Sequence, residues 1–90
     1  MMKAIECLVH GGIRCGNHTA IHTDKESRYF YHGNLVCAVD KENCSFTLHT
    51  YRKYQKSRST VRTLNDYQSY FEALGYRLYW KVVHEDSELR

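Results

Sequence analysis

The spacing of hydrophobic positions changes period once along the chain. Through the first half it is close to two, the period of strands with one covered face. Ile5, Cys7 and Val9 alternate with Glu6, so Lys3–His10 is predicted as a strand, although Ala4 and Leu8 interrupt the alternation. Gly11-Gly12 and Gly16-Asn17 are turn signals. Thr19–Thr23 is a short β-branched stretch, followed by the polar turn Asp24-Lys25-Glu26-Ser27. Arg28–Tyr31 is aromatic and predicts a strand, and His32-Gly33-Asn34 offers a tight turn because Gly and Asn accept positive φ. Leu35, Cys37 and Val39 share one face of the next strand, and Asp40-Lys41-Glu42-Asn43 turns again. Cys44, Phe46 and Leu48 then alternate with Ser45, Thr47 and His49, the clearest period-two stretch in the chain. Residues 28–49 are therefore predicted to form a three-stranded antiparallel meander.

After residue 58 the period lengthens. Val61, Leu64, Tyr67, Phe71 and Leu74 recur at helical spacing and predict one apolar stripe. Ser59 or Thr60 supplies a hydroxyl to cap the helix, and Gly75 suits the left-handed residue that ends it. Tyr76, Leu78, Trp80 and Val82 then alternate with Arg77, Tyr79, Lys81 and Val83, a last strand with Tyr79 opposite the Trp80 face. The expected fold is α+β: a mostly antiparallel sheet of about five or six short strands with one amphipathic helix on one face.

Composition narrows the class. The chain has 90 residues, 42% of them hydrophobic and 26% charged, which fits a folded globular protein, and it has no proline. One domain over residues 1–90 is expected, because a second core would need roughly 50 further residues. So short a chain buries a thin core, and a deep catalytic pocket would consume much of it, so a non-enzymatic protein without a cofactor is expected. No apolar run approaches the ~20 residues of a membrane span, and no basic-then-apolar leader is visible. A cytoplasmic protein with reduced Cys7, Cys15, Cys37 and Cys44 is the expectation.

The net charge of +3 is unevenly placed. In residues 1–50 the basic Lys3, Arg14, Lys25, Arg28 and Lys41 are cancelled by Glu6, Asp24, Glu26, Asp40 and Glu42. The excess lies in Tyr51–Arg62, which carries Arg52, Lys53, Lys56, Arg58 and Arg62 and no acid. Arg and Lys neutralise phosphates or carboxylates, and Tyr51 and Tyr54 supply rings that stack on bases or fill a protein pocket. Arg58 and Arg62 stand where a helix begins and free N–H groups attract anions. Tyr51, Arg52, Lys53, Tyr54, Lys56, Arg58 and Arg62 are therefore the candidate partner-binding residues, against the plainer reading of a solvated connector.

Two other chemistries are weaker. Cys7, His10, Cys15 and His18 fall within twelve residues and offer zinc-type ligands. Their spacing matches no familiar finger, and a strand would set Cys7 and His10 on opposite faces, with Cys7 in the core and His18 on the surface. Cys37 and Cys44 fall on core-facing positions, where a thiol behaves as a small inert hydrophobe.

Arg28–Asp40 followed by Ser59–Asn65 resembles a class of small uncharacterised phage proteins. These show an aromatic strand, a Gly turn, an apolar strand, a second short strand and a Ser/Thr-rich helix start leading to Leu-Asn. The likeness covers the middle half of the chain; the cysteines and the long basic linker depart from it. It implies a phage or mobile-element accessory protein acting in the host cytoplasm. Small proteins of that origin bind and disable host machines, and anti-CRISPR inhibitors of effector nucleases are one such class. A basic chain differs from the acidic DNA mimics of that class, so inhibition would come from covering a protein or guide-RNA surface or jamming a moving domain. The alternatives are direct DNA or RNA binding by the same segment, and a zinc-stabilised module. Pairing of two copies through an exposed apolar edge strand is a further expectation.

Overall fold

The computed structural model describes the backbone of residues 2–54 and 57–84, and their side chains except those of Met2 and Tyr54. The elements are α1 (Met2–Val9), β1 (Arg14–Cys15), β2 (His18–His22), β3 (Glu26–Tyr31), β4 (Asn34–Asp40), β5 (Ser45–Tyr51), a 3-10 turn (Arg52–Tyr54), α2 (Arg58–Ala73) and β6 (Arg77–His84). All the strands join one six-stranded sheet in chain order. β1 to β5 pair antiparallel, and β6 pairs parallel to β5. A parallel neighbour cannot be reached through a hairpin, so α2 serves as the crossover. The fold is α+β with the predicted meander in place. His32 and Gly33 carry positive φ (50° and 82°) at the β3–β4 turn, the pair that a two-residue turn between twisted strands needs.

The segment Lys3–His10 is not a strand. Ile5 and Leu8, three apart, are fully buried, while Glu6 and Cys7 are exposed. The Ala4 and Leu8 that disturbed the alternation are the trace of a 3.6-residue period, and α1 packs against β1, β2 and α2. The helix ends at Val9, and the turn after it closes at Gly12, whose N–H reaches the Cys7 carbonyl at 3.0 Å. A Cβ at Gly12 would stand 2.7 Å from that same oxygen, so the turn is closed tightly by the absence of a side chain. Cys7 is thus an exposed helix residue rather than a core strand residue.

Register fixes the covered face. Ala20 lies opposite Tyr29, Tyr29 opposite Cys37, and Cys37 opposite Leu48. Val39 joins Ser27 to Phe46 in the next row. These residues are buried and meet Ile5, Leu8, Tyr67 and Phe71 from the helices. An irregularity beside Tyr29 sets Leu35 opposite Phe30 and buries Val36 next to Cys37, so the predicted Leu35/Cys37/Val39 face starts properly only at Cys37. Cys44 is not a core residue either: it is exposed, in the turn before β5, with φ 51°.

Helix α2 is rotated from its predicted stripe. Thr60, Thr63, Tyr67 and Phe71 are buried, whereas Val61 and Leu74 are 42% and 53% exposed. Leu64 is partly buried. Small threonines on the inner side let the first half of the helix approach the sheet. The cap is Ser57, ahead of the predicted Ser59 or Thr60; its Oγ accepts from the Thr60 N–H at 3.3 Å. At the other end the Gly75 N–H bonds to Glu72 and the Tyr76 N–H to Phe71, the two-bond Gly termination that the sequence anticipated.

β6 departs from regular pairing. Leu78 lies opposite Phe46, but Trp80 lies opposite Thr47, so Tyr79 is an extra residue. The bulge sets Trp80 on the face opposite Leu78, where the predicted alternation has the two on one face, and Trp80 is 63% exposed.

Candidate functional site

The basic segment occupies the joint between β5 and α2. Tyr51 ends β5, Arg52 and Lys53 lie in the 3-10 turn, and Arg58 opens α2. Arg52, Lys53, Arg58 and Arg62 are exposed. Arg58 and Arg62, four apart on the helix, lie one above the other on its surface. Neither meets a carboxylate among the described residues. Lys56 and the Tyr54 side chain lie outside the described residues.

Tyr51 anchors this joint. Its ring stacks on His84 with centroids 4.8 Å apart and planes 21° apart. Burial pushes its hydroxyl pKa up, against a hydrogen bond from the Leu35 backbone that lowers it. The turn that follows is therefore held to the sheet at its first residue.

Beside the joint lies an open cleft of about 260 Å³, between the β3–β4 turn and the start of α2. Tyr31, His32, Asn34 and Val36 form one wall, Ser57, Ser59 and Thr60 the other, with Tyr51 between them. None of these residues is acidic. Hydroxyls and an amide line the cleft at the positive end of the α2 dipole, with Arg58 on the adjoining turn. The arrangement suits phosphates or carboxylates of a partner. A second cleft, about 200 Å³, runs between α2 and the β5–β6 pair and is apolar where Val61 and Leu64 line it.

The Cys/His cluster is dispersed. Cys7 is on α1, His10 is exposed just beyond it, Cys15 is on β1, and His18 is buried on β2. Among the described residues no three of His, Cys, Asp or Glu stand together where they would hold a metal. His18 instead packs against Tyr31, centroids 4.8 Å apart, with the Tyr67 hydroxyl 3.5 Å from its Nδ1. Its burial, the largest influence, lowers its pKa. Cys37 is fully buried, and burial pushes its thiol pKa far up, so it is a packing residue.

Two histidine arrangements escaped the sequence reading. His22 accepts from the Ser27 hydroxyl at 2.8 Å through Nδ1 and donates through Nε2 to the Gly12 carbonyl at 3.1 Å, tying the loop after α1 to the sheet. His49 and His84 meet across β5 and β6. They are 35 positions apart and only the parallel crossover joins them, so no local pattern announces the pair.

No known family model matches this chain, and no curated protein or solved structure matches it.

Proposed function

We propose that this chain is a non-catalytic binding protein that docks on a host protein or ribonucleoprotein through the joint between β5 and α2. The observation that carries the reading is the exposure of Arg52, Lys53, Arg58 and Arg62 beside a hydroxyl-lined cleft with no acid among the described residues of its walls. Such a surface receives carboxylates or phosphates, and Arg and Tyr are favoured anchors at interfaces. The resemblance of residues 28–40 and 59–65 to small phage proteins adds the direction: inhibition of a host machine, with a CRISPR effector nuclease as the partner to try first.

Direct binding of DNA or RNA by the same residues is the second reading, since the surface is also suited to phosphate. Co-purification from a bacterial lysate, run with and without nuclease, separates the two. A host protein retained after nuclease treatment supports docking on protein. Loss of all partners with nuclease, together with binding of bare RNA or DNA that weakens steeply with salt, supports the second reading.

A further inference from the structure

We propose that the chain forms a two-fold dimer by pairing β6 with β6 of a second copy. β6 is paired on one side by β5; among the described residues no strand covers its other side. That free edge carries Tyr79, Trp80 and Val83 at 75%, 63% and 49% exposure. A proline-free edge with large apolar side chains is a template for another strand. β1, at the opposite edge, is two residues long and offers no comparable template.

The occupant follows from the register. A two-fold axis normal to the sheet makes the pairing antiparallel and sets one residue opposite its own copy. Centring on Lys81 would oppose two ammonium groups. Centring on Tyr79 or Trp80 brings the bulge into the new ladder, and with Trp80 at the centre Leu78 and Val82 would be opposed although they point to different faces. Centring on Val82 avoids both faults. Val82 then faces its copy, Lys81 faces Val83, and Trp80 faces His84, with no like charges opposed. Trp80, Val82 and His84 lie beside Thr47, His49 and Tyr51 of β5, so the three share one face of the strand and the pleats match. The indole against imidazole is a favourable cross-strand aromatic pair.

The interface is small. Each aromatic side chain covers at most about 150–250 Å², so the contact falls near the low end of stable interfaces and the dimer forms at micromolar concentration. The two cationic ledges are brought together on one continuous sheet.

The test uses the whole chain. Sedimentation across a concentration series is expected to show monomer and dimer, and Trp80→Ala to weaken the dimer about tenfold or more. In a background with Cys7, Cys15 and Cys44 changed to Ser, Val82→Cys is expected to form an intermolecular disulfide on mild oxidation. Val83→Cys is expected not to, because its copy would stand diagonally, beyond disulfide reach. A chain that stays monomeric at about 0.5 mM, far above micromolar affinities, overturns the proposal. So does a dimer that Val83→Cys cross-links and Val82→Cys does not. A strand of an unrelated protein found on β6 of a monomeric chain overturns it likewise.

Discussion

His49 Nδ1 and His84 Nε2 stand 3.0 Å apart across β5 and β6, with ring planes 18° apart and centroids 5.3 Å apart. At that geometry the nitrogens point at each other, so one proton bridges the rings and a second cannot be accommodated. Burial, then His84, then Arg28 lower the pKa of His49 below the ordinary 6.5. The sign follows from linkage. Well above pH 6.5 both folded and unfolded His49 are neutral and the fold has its full stability. Below it the unfolded chain takes up the proton and the folded chain resists, so stability falls as pH falls. His18, lowered by burial first, acts in the same direction. Thermal unfolding is expected to show a falling Tm from about pH 7.5 to about pH 5.5, with a shallower fall in His49→Gln. A Tm independent of pH over that span would contradict the assignment.

Tyr67 is the central side chain of the interface between α2 and the sheet. It is fully buried, touches Tyr29 at a centroid distance of 5.4 Å, and puts its hydroxyl toward His18. Tyr67→Ala is expected to cost about 3–5 kcal/mol, since a large ring leaves a cavity that the sheet cannot close. Tyr67→Phe keeps the ring and gives up a long hydrogen bond, at about 1 kcal/mol or less. Denaturant unfolding of the pair checks both, and equal losses would refute the packing role.

Ser57, not Ser59, caps α2. Ser57→Ala is expected to cost about 1 kcal/mol, and Ser59→Ala a few tenths at most. Chemical denaturation separates them, and the reverse order would place the helix start two residues later.

Gly12 meets the Cys7 carbonyl where a Cβ would lie at 2.7 Å, a contact with rigid backbone. Gly12→Ala is therefore expected to loosen α1 from β1 and β2. Hydrogen exchange read on α1 amides gives the outcome: faster exchange confined to residues 5–9 is expected, and unchanged exchange would count against the tight closure.

What the sequence revealed depended on how local the cause was. The meander was legible because Phe46 and Leu48 alternate with Thr47 and His49, and because His32-Gly33 satisfies its own turn. The end of α2 was legible for the same reason, in Gly75. α1 reads as a strand because eight residues with Ile5, Cys7 and Val9 fit a period of two, and only burial of Leu8 against the rest of the fold decides for 3.6. The rotation of α2 was hidden because threonines at 60 and 63 do not look like core, yet their size lets the helix approach the sheet. The alternation sets Trp80 on the Leu78 face because a bulge reverses the faces of a strand without any mark in its own composition. Of the candidate site, the exposed cations were legible as charge. The cleft beside them was not, since its walls come from a turn and a helix start about 25 residues apart that only the folded sheet brings together.

The claim that the basic joint is the gripping surface is tested most directly by replacing Arg52, Lys53, Arg58 and Arg62 together with Ala and comparing capture of bacterial lysate proteins with the unaltered chain. These side chains are exposed, so the variant is expected to keep its Tm within a few degrees. A partner held by the unaltered chain and lost from the folded variant is the predicted result. Equal retention of that partner by the folded variant would contradict the account.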